Sequence, residues 1–301
     1  MSRDTVLAWV ESPLQLVGAA EWAAAHSRVV PVAGRFTVQM SETADELIAR
    51  GARFGATEPY LGIPWKLLSQ HHHWLVGDGF SGQFRLAVSV LRPRSITFLD
   101  DGANTLAFAR ALRGVGPYAR PGVEEGRVTT LLAPFALERT LRRARTGAVE
   151  LFTAFDVPAQ DRLADLGVGV RTHRFDWTRA TAPDQPQLGP RVVMGSARPV
   201  DGRMPVADYL DWVSAVSAAM PVTYLPHRRE PEVQLEAVRG IPNVSVSPAR
   251  LPAELVLAGA TRPLEIFTLP SSTATTLPLV LEGTGSVIRS QPGRERKGVV
   301  S

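Results

Sequence analysis

The feature that most constrains this chain is a recurring unit. A short apolar run is followed at once by a polar or glycine-bearing turn, and then by apolar residues at helical spacing. The first copy is the clearest. Val6–Val10 reads as a buried strand. Ser12 then offers an N-cap hydroxyl, and Pro13 takes the first helical position, where its missing N–H does no harm. Leu14, Leu16, Val17, Ala20 and Ala24 recur at helical spacing through Pro13–Ala25. The turn lies at the strand's carboxyl end, where open α/β sheets bind ligands.

The alternation continues. Residues 29–32 and 36–38 read as strands, and 41–50 as a helix capped by Ser41. Strands at 74–76 and 95–99 end in the turns Gly77-Asp78-Gly79 and Asp100-Asp101-Gly102, with a helix expected at 103–112. Residues 180–190 hold three prolines in eleven positions and read as a linker. Beyond them the pattern restarts with strand Arg191–Met194, turn Gly195-Ser196 and a helix at 206–219. Strands Val222–Leu225 and Val244–Val246, a helix at 252–258 and a strand at 264–269 follow. The turn Pro270-Ser271-Ser272 opens a closing helix that Pro278 is expected to end or kink early. The tail, 289–301, is polar and basic and is expected to be loosely attached. The pattern predicts an α/β protein with two Rossmann-like domains facing a cleft, at 1–182 and 191–301, joined by a linker at 183–190.

Composition excludes several classes. Hydrophobic residues at 45% and charged residues at 21% are those of a globular chain. With no cysteine, disulfides and thiolate metal sites are impossible. All 33 basic residues are arginine except Lys66 and Lys297, which reflects a GC-rich coding bias more than a nucleic-acid surface. The densest basic run carries Arg139, Arg142, Arg143 and Arg145 and has no interleaved aromatic, so no nucleic-acid partner is expected. On an amphipathic helix it could lie against an anionic membrane or hold an anionic glycan, although a solvated helix face is the commoner reading. The N-terminus lacks the apolar region of a secretory signal, and no apolar stretch approaches the ~18 residues of a membrane span. A cytoplasmic location is expected, with peripheral membrane contact as an option.

Three turns carry candidate chemistry. Two adjacent carboxylates, Asp100 and Asp101, can act as a general base, hold a metal or cap the next helix. His227, beside Arg228 and Arg229, can form an anion site or a surface loop with a salt-bridged Arg–Glu pair. Ser271, Ser272 and Thr273 can bind an anion at a helix N-terminus or serve only as caps, and Gly195-Ser196 repeats that strand-turn logic. His71-His72-His73 point in different directions on any regular element, so a polar loop is expected there rather than a metal site.

In order and placement, Asp100-Asp101-Gly102, His227 and Ser271-Ser272 resemble the acidic-acidic-Gly, His-Pro and Ser-Ser motifs of the bacterial sialyltransferases and polysialyltransferases. Ser12-Pro13-Leu14-Gln15 and Gly77-Asp78 are similar to further stretches of that family. Arg228 stands where the family motif has proline. The resemblance implies a GT-B fold and an inverting, metal-independent glycosyltransferase with no cofactor beyond its donor. That donor would be a CMP-linked sialic acid, or another nucleotide sugar such as CMP-Kdo, and the acceptor a glycan or glycolipid. An inactive nucleotide- or glycan-binding protein is the alternative of another class. The resemblance implies Asp100, in preference to Asp101, as base and His227 as partner of the leaving phosphate. Gly195, Ser196, Arg228, Ser271, Ser272 and Thr273 would contact the donor, and Ser12, Gln15, Asp78 and Gly102 would lie toward the acceptor.

Overall fold

The computed structural model describes residues 5–102, 104–185, 188–248 and 250–290. The tail beyond 290, residue 103 of the expected helix and residues 186–187 of the expected linker lie outside the described residues. Contacts divide the chain into two compact units, Met1–Thr181 and Ala182–Ser301.

The first unit runs β1 (Val6–Val10), α1 (Pro13–Ala25), β2 (Val30–Gly34), α2 (Val38–Ala49), β3 (Phe54–Pro59), α3 (Trp65–Gln70), β4 (His73–Val76) and α4 (Gly82–Val90). It continues β5 (Ser95–Phe98), α5 (Asn104–Leu112), α6 (Arg127–Ala144), β6 (Val149–Thr153), α7 (Gln160–Asp165), β7 (Val168–Thr172) and α8 (Asp176–Ala180). Its seven strands pair in parallel in the order β3-β2-β1-β4-β5-β6-β7. The order reverses direction between β1 and β4, so the ligand-binding crevice of such a sheet lies outside those two carboxyl ends. β1 is buried along its whole length, as a strand covered on both faces must be. Leu7, Trp9, Trp74, Phe84 and Phe98 anchor the core on one face.

The second unit runs β8 (Arg191–Met194), α9 (Val206–Ser217), β9 (Val222–Leu225), α10 (Glu232–Arg239), β10 (Val244–Val246), α11 (Ala253–Leu257), β11 (Glu265–Thr268), α12 (Thr273–Val280) and β12 (Val287–Ser290). Its five strands are parallel in the order β10-β9-β8-β11-β12, with the reversal between β8 and β11. One core gathers Val192, Leu257, Ile266 and Leu277, and another gathers Val193, Tyr209, Tyr224 and Val238. The expected α/β organisation with two parallel sheets is therefore present.

Several local expectations change. Residues 36–38 are not a strand. The Thr37 hydroxyl accepts the Met40 N–H at 3.3 Å and caps α2 four residues before Ser41, the expected cap. β3 and β12 carried no alternating apolar pattern, because both are edge strands and largely exposed. His73 opens β4 instead of lying in a loop, and its Nε2 lies 2.9 Å from Thr97 Oγ1. Pro278 sits inside α12, which ends two residues later.

One buried ion pair fixes the segment between α5 and α6. Arg85, on α4, is fully buried and grips Glu125 with two guanidinium N–H bonds of 2.7 and 2.8 Å. It also donates to Thr129 O and lies over the Tyr118 ring. Tyr118 donates to Gly79 O at 2.6 Å, and Glu125 accepts the Arg120 N–H at 3.0 Å. Removing one partner of a buried pair leaves the other uncompensated. Arg85→Ala is expected to cost about 3 kcal/mol in chemical denaturation, and a loss below about 1 kcal/mol would show that the pair does not order this segment.

Candidate active site

In the first unit, the carboxyl ends of β1, β4 and β5 bring three acidic side chains, Glu11, Asp78 and Asp101, near one another. Ser12 caps α1, and Gln15, three positions on, completes a capping box. Gln15 Oε1 accepts the N–H groups of Glu11 (2.7 Å) and Ser12 (3.2 Å). Its Nε2 donates to Asp101 Oδ1 at 2.8 Å, a link across 86 residues of sequence. Asn104 donates to Asp101 Oδ2 at 2.9 Å, so both carboxylate oxygens are oriented by side-chain amides. Each oxygen keeps a further lone pair, and the residue is half-buried. Gly102 turns the chain into α5 with φ of +62°.

Asp100 is placed differently. It is 1% exposed and accepts hydrogen bonds from the Thr153 hydroxyl, from Ala154 N at 2.7 Å and from His173 Nε2 at 3.1 Å. These bonds tie β5 to the ends of β6 and β7. The expected preference for Asp100 as base therefore meets a buried carboxylate held by three donors, whereas Asp101 keeps an open side.

Asp78 is buried, accepts the Phe80 N–H at 2.8 Å and pairs with Arg120. Its carboxyl is pushed up to about 6 by burial and then by the charge of Asp101, against the pull of Arg120. Glu11 is raised by burial, with Arg35 and Arg120 opposing. Glu11, Asn104 and Arg120 carried no separate signal in the sequence. Arg120 in particular lies in an irregular stretch held by the Arg85–Glu125 pair and by the Tyr118 bond to Gly79 O. Gly77 is required by close approach, since a Cβ there would lie 2.1 Å from Gln15 Oε1.

In the second unit, a buried hydrogen-bond chain locks the ends of β8 and β9. Tyr209 and Tyr224 share a short hydroxyl contact, and the Tyr224 hydroxyl donates to Glu230 Oε1. Glu230 Oε2 accepts the His227 N–H at 2.6 Å, and Gln234 donates to Oε1 at 2.6 Å. The Ser196 N–H donates to the Tyr209 hydroxyl at 3.2 Å. Burial raises the Glu230 carboxyl. The exposed Arg–Glu loop considered from the sequence is thus corrected: Glu230 is buried among these donors, and Arg229 pairs with Asp201 at 2.8 Å.

His227 is half-buried, and its pKa is lowered to about 4 by burial and then by Arg228 and Arg229. Its Nδ1 accepts the Arg229 N–H at 3.2 Å, so the neutral ring carries its proton on Nε2. At the end of β11, the Ser271 hydroxyl pairs with that of Thr273. Ser272 is the N-cap of α12, but its side chain makes no capping bond. Among the described residues, no group of three or more His, Cys, Asp or Glu side chains can hold a metal ion, the histidines at 71–73 included.

No protein-family model and no curated protein matches this chain. Among solved structures it is similar to a UDP-glucose: anthocyanidin 3-O-glucosyltransferase in complex with UDP, at 11% identity over 97% of this chain and 81% of that one, with a TM-score of 0.48. It is also similar to MurG of Acinetobacter baumannii, at 10% identity over 95% of this chain and 86% of that one, with a TM-score of 0.35. The side chains described above, and not these overlaps, carry the functional reading.

Two outcomes are expected. A Cβ at position 195 would lie 2.3 Å from Glu230 Oε2 and 2.4 Å from His227 N. Gly195→Ala should therefore lower stability by roughly 2 kcal/mol, and a variant that melts with the wild type would contradict the close approach. For Asp78, the folded carboxyl at about 6 keeps its proton where the unfolded one, at 3.8, has lost it. Its stabilising contribution is complete below the unfolded value and is lost as pH rises through the folded one. At about 1.4 kcal/mol per pKa unit this amounts to roughly 3 kcal/mol. Asp78→Asn should flatten the decline in stability between about pH 4 and pH 6, and identical pH profiles would refute the shift.

Proposed function

We propose that the protein is an inverting, metal-independent glycosyltransferase that moves a sialic acid or a related acidic sugar from a CMP-linked donor to a glycan or glycolipid acceptor. The observation that carries this reading is the Asp101 carboxylate, held by Gln15 and Asn104 at a strand's carboxyl end with Asp78 and Glu11 nearby. A carboxylate oriented by two amides and open on one side suits removal of a proton from a sugar hydroxyl.

In this mechanism Asp101 accepts the acceptor's hydroxyl proton while the freed oxygen attacks the anomeric carbon. The bond from that carbon to the donor phosphate breaks, and the electron pair leaves with CMP. A single displacement inverts the anomeric centre. Asp100 serves the site by holding β5 to β6 and β7. Asp78, with Arg120, sets the local charge around Asp101.

His227 is suited to the leaving phosphate. Kept neutral by burial and by the two arginines beside it, it offers Nε2–H as a donor. A phosphate arriving there offsets the arginine charges and raises the proton affinity of the ring, which favours protonated imidazole beside the developing anion. The Ser271, Ser272 and Thr273 hydroxyls at the start of α12 and the Ser196 hydroxyl supply further donors, while the Gly195 and Ser196 N–H groups are taken by Leu225 O and the Tyr209 hydroxyl. Arg228 brings permanent charge to the same loop and suits a donor that is itself anionic.

The test is thermal stabilisation by CMP, UMP, GMP and ADP and their sugar conjugates in EDTA, followed by a transfer assay with the stabilising donor. CMP and its conjugates should raise the melting temperature, and His227→Ala should abolish the effect. Asp101→Asn should keep the CMP shift and lower turnover by 10²-fold or more, whereas Asp100→Asn should first lower stability. Stabilisation by CMP without turnover would make the protein a binding module. A response only to uridine or adenine nucleotides would overturn the CMP assignment.

A further inference from the structure

A second charged site lies at the other end of the first sheet. Arg92 precedes β5, and Thr146 follows α6 and precedes β6, so both lie toward the amino ends of strands whose carboxyl ends carry the acidic residues. Arg92, Arg139, Arg142, Arg143 and Thr146 line a cavity of about 360 Å³. Several arginines elsewhere in the chain are matched to carboxylates, as in Arg50–Glu46, Arg85–Glu125, Arg229–Asp201 and Arg191–Glu265. Here Glu138 pairs with Arg142, and among the described residues no ion pair involves Arg92, Arg139 or Arg143.

Arg143 is held in place rather than waving in solvent. Its Nε donates to Pro93 O at 2.7 Å and its Nη1 to Arg139 O at 3.2 Å. Burial lowers its pKa, and the charges of Arg139, Arg92 and Arg142 lower it further. Four guanidiniums around one cavity repel each other, and an anion between them would relieve that repulsion. Guanidinium forks match the oxygens of phosphate bidentately, and a tetrahedral phosphate has enough oxygens to meet several of them at once.

We propose that this pocket binds a phosphate group, presented either by a soluble phosphate ester or by a lipid headgroup. Its residues belong to the first unit, and those proposed to hold the donor belong to the second. The lipid source has support on the same helix. Val128, Leu131 and Phe135 are 69%, 70% and 56% exposed. At about 100° per residue they fall with Arg139 and Arg142 inside roughly 80° of the helix circumference, while Ala136, Thr140 and Ala144 are buried on the other side. Apolar side chains beside a basic cluster on one outward stripe suit a bilayer surface with anionic headgroups.

The experiment uses the full chain and the double variant Arg92→Gln/Arg142→Gln, both exposed positions. Melting temperature is followed against inorganic phosphate and pyrophosphate, with chloride at equal ionic strength as control. Co-sedimentation is measured with vesicles of phosphatidylglycerol and phosphatidylcholine, and of phosphatidylcholine alone. A phosphate-dependent rise whose apparent Kd weakens at least tenfold in the double variant supports the pocket with a soluble source. Co-sedimentation with anionic vesicles only, lost in the double variant and reduced in Phe135→Ser, supports it with a lipid source. Absence of both responses, or responses unchanged in the double variant, overturns it. A phosphate response that disappears in His227→Ala instead would belong to the second unit and would overturn the pocket as well.

Discussion

The Gln15 side chain joins three strand ends at once. Its carbonyl oxygen satisfies the first N–H groups after β1, and its amide nitrogen fixes Asp101 after β5. It can occupy that place only because Gly77, after β4, has no Cβ. Ser12 and Pro13 start α1 where they do, and so put Gln15 at the third helical position, facing back toward the turn. A shift of one residue in the start of that helix would remove the amide from Asp101. The orientation of the carboxylate is thus a consequence of a helix cap.

The second unit solves the same problem with different chemistry. Glu230 replaces the amide as the hub, taking bonds from Tyr224, Gln234 and the His227 backbone, with Gly195 leaving room for it. In both units a buried polar side chain ties neighbouring turns at the carboxyl ends of a parallel sheet, and a glycine makes the approach possible. Loops held in this way keep polar groups at fixed positions without regular secondary structure. Burial raises the carboxyls of Asp78, Glu11 and Glu230, so this rigidity comes at an electrostatic cost that Arg120 and Arg35 partly offset in the first unit.

Charge is unevenly distributed in the first unit. The carboxyl ends of its strands hold the acidic residues, and the amino ends hold the arginine pocket. Chain connectivity produces this separation, because turns after strands and turns before strands lie at opposite edges of a parallel sheet. One sheet can therefore present a proton acceptor at one edge and an anion-binding surface at the other.

Much of the architecture was legible in the sequence, because central parallel strands are buried on both faces and must be apolar throughout. Val6–Val10, Arg191–Met194, Val222–Leu225 and the capped helix Pro13–Ala25 announce themselves for that reason. Polar turns directly after such strands marked Asp78, Asp100, Asp101, Gly195, His227 and Ser271 as candidates. Edge strands such as Phe54–Pro59 were silent, since half-exposed backbone pairing leaves no hydrophobic pattern. Tertiary structure alone decided which carboxylate of the pair is open. Asp100 and Asp101 are equivalent in local sequence, and they differ because Thr153, Ala154 and His173, more than fifty positions away, enclose one of them. Hydrogen bonds of that range, like the Arg85–Glu125 pair that delivers Arg120, depend on which strands become neighbours, and local composition does not encode that.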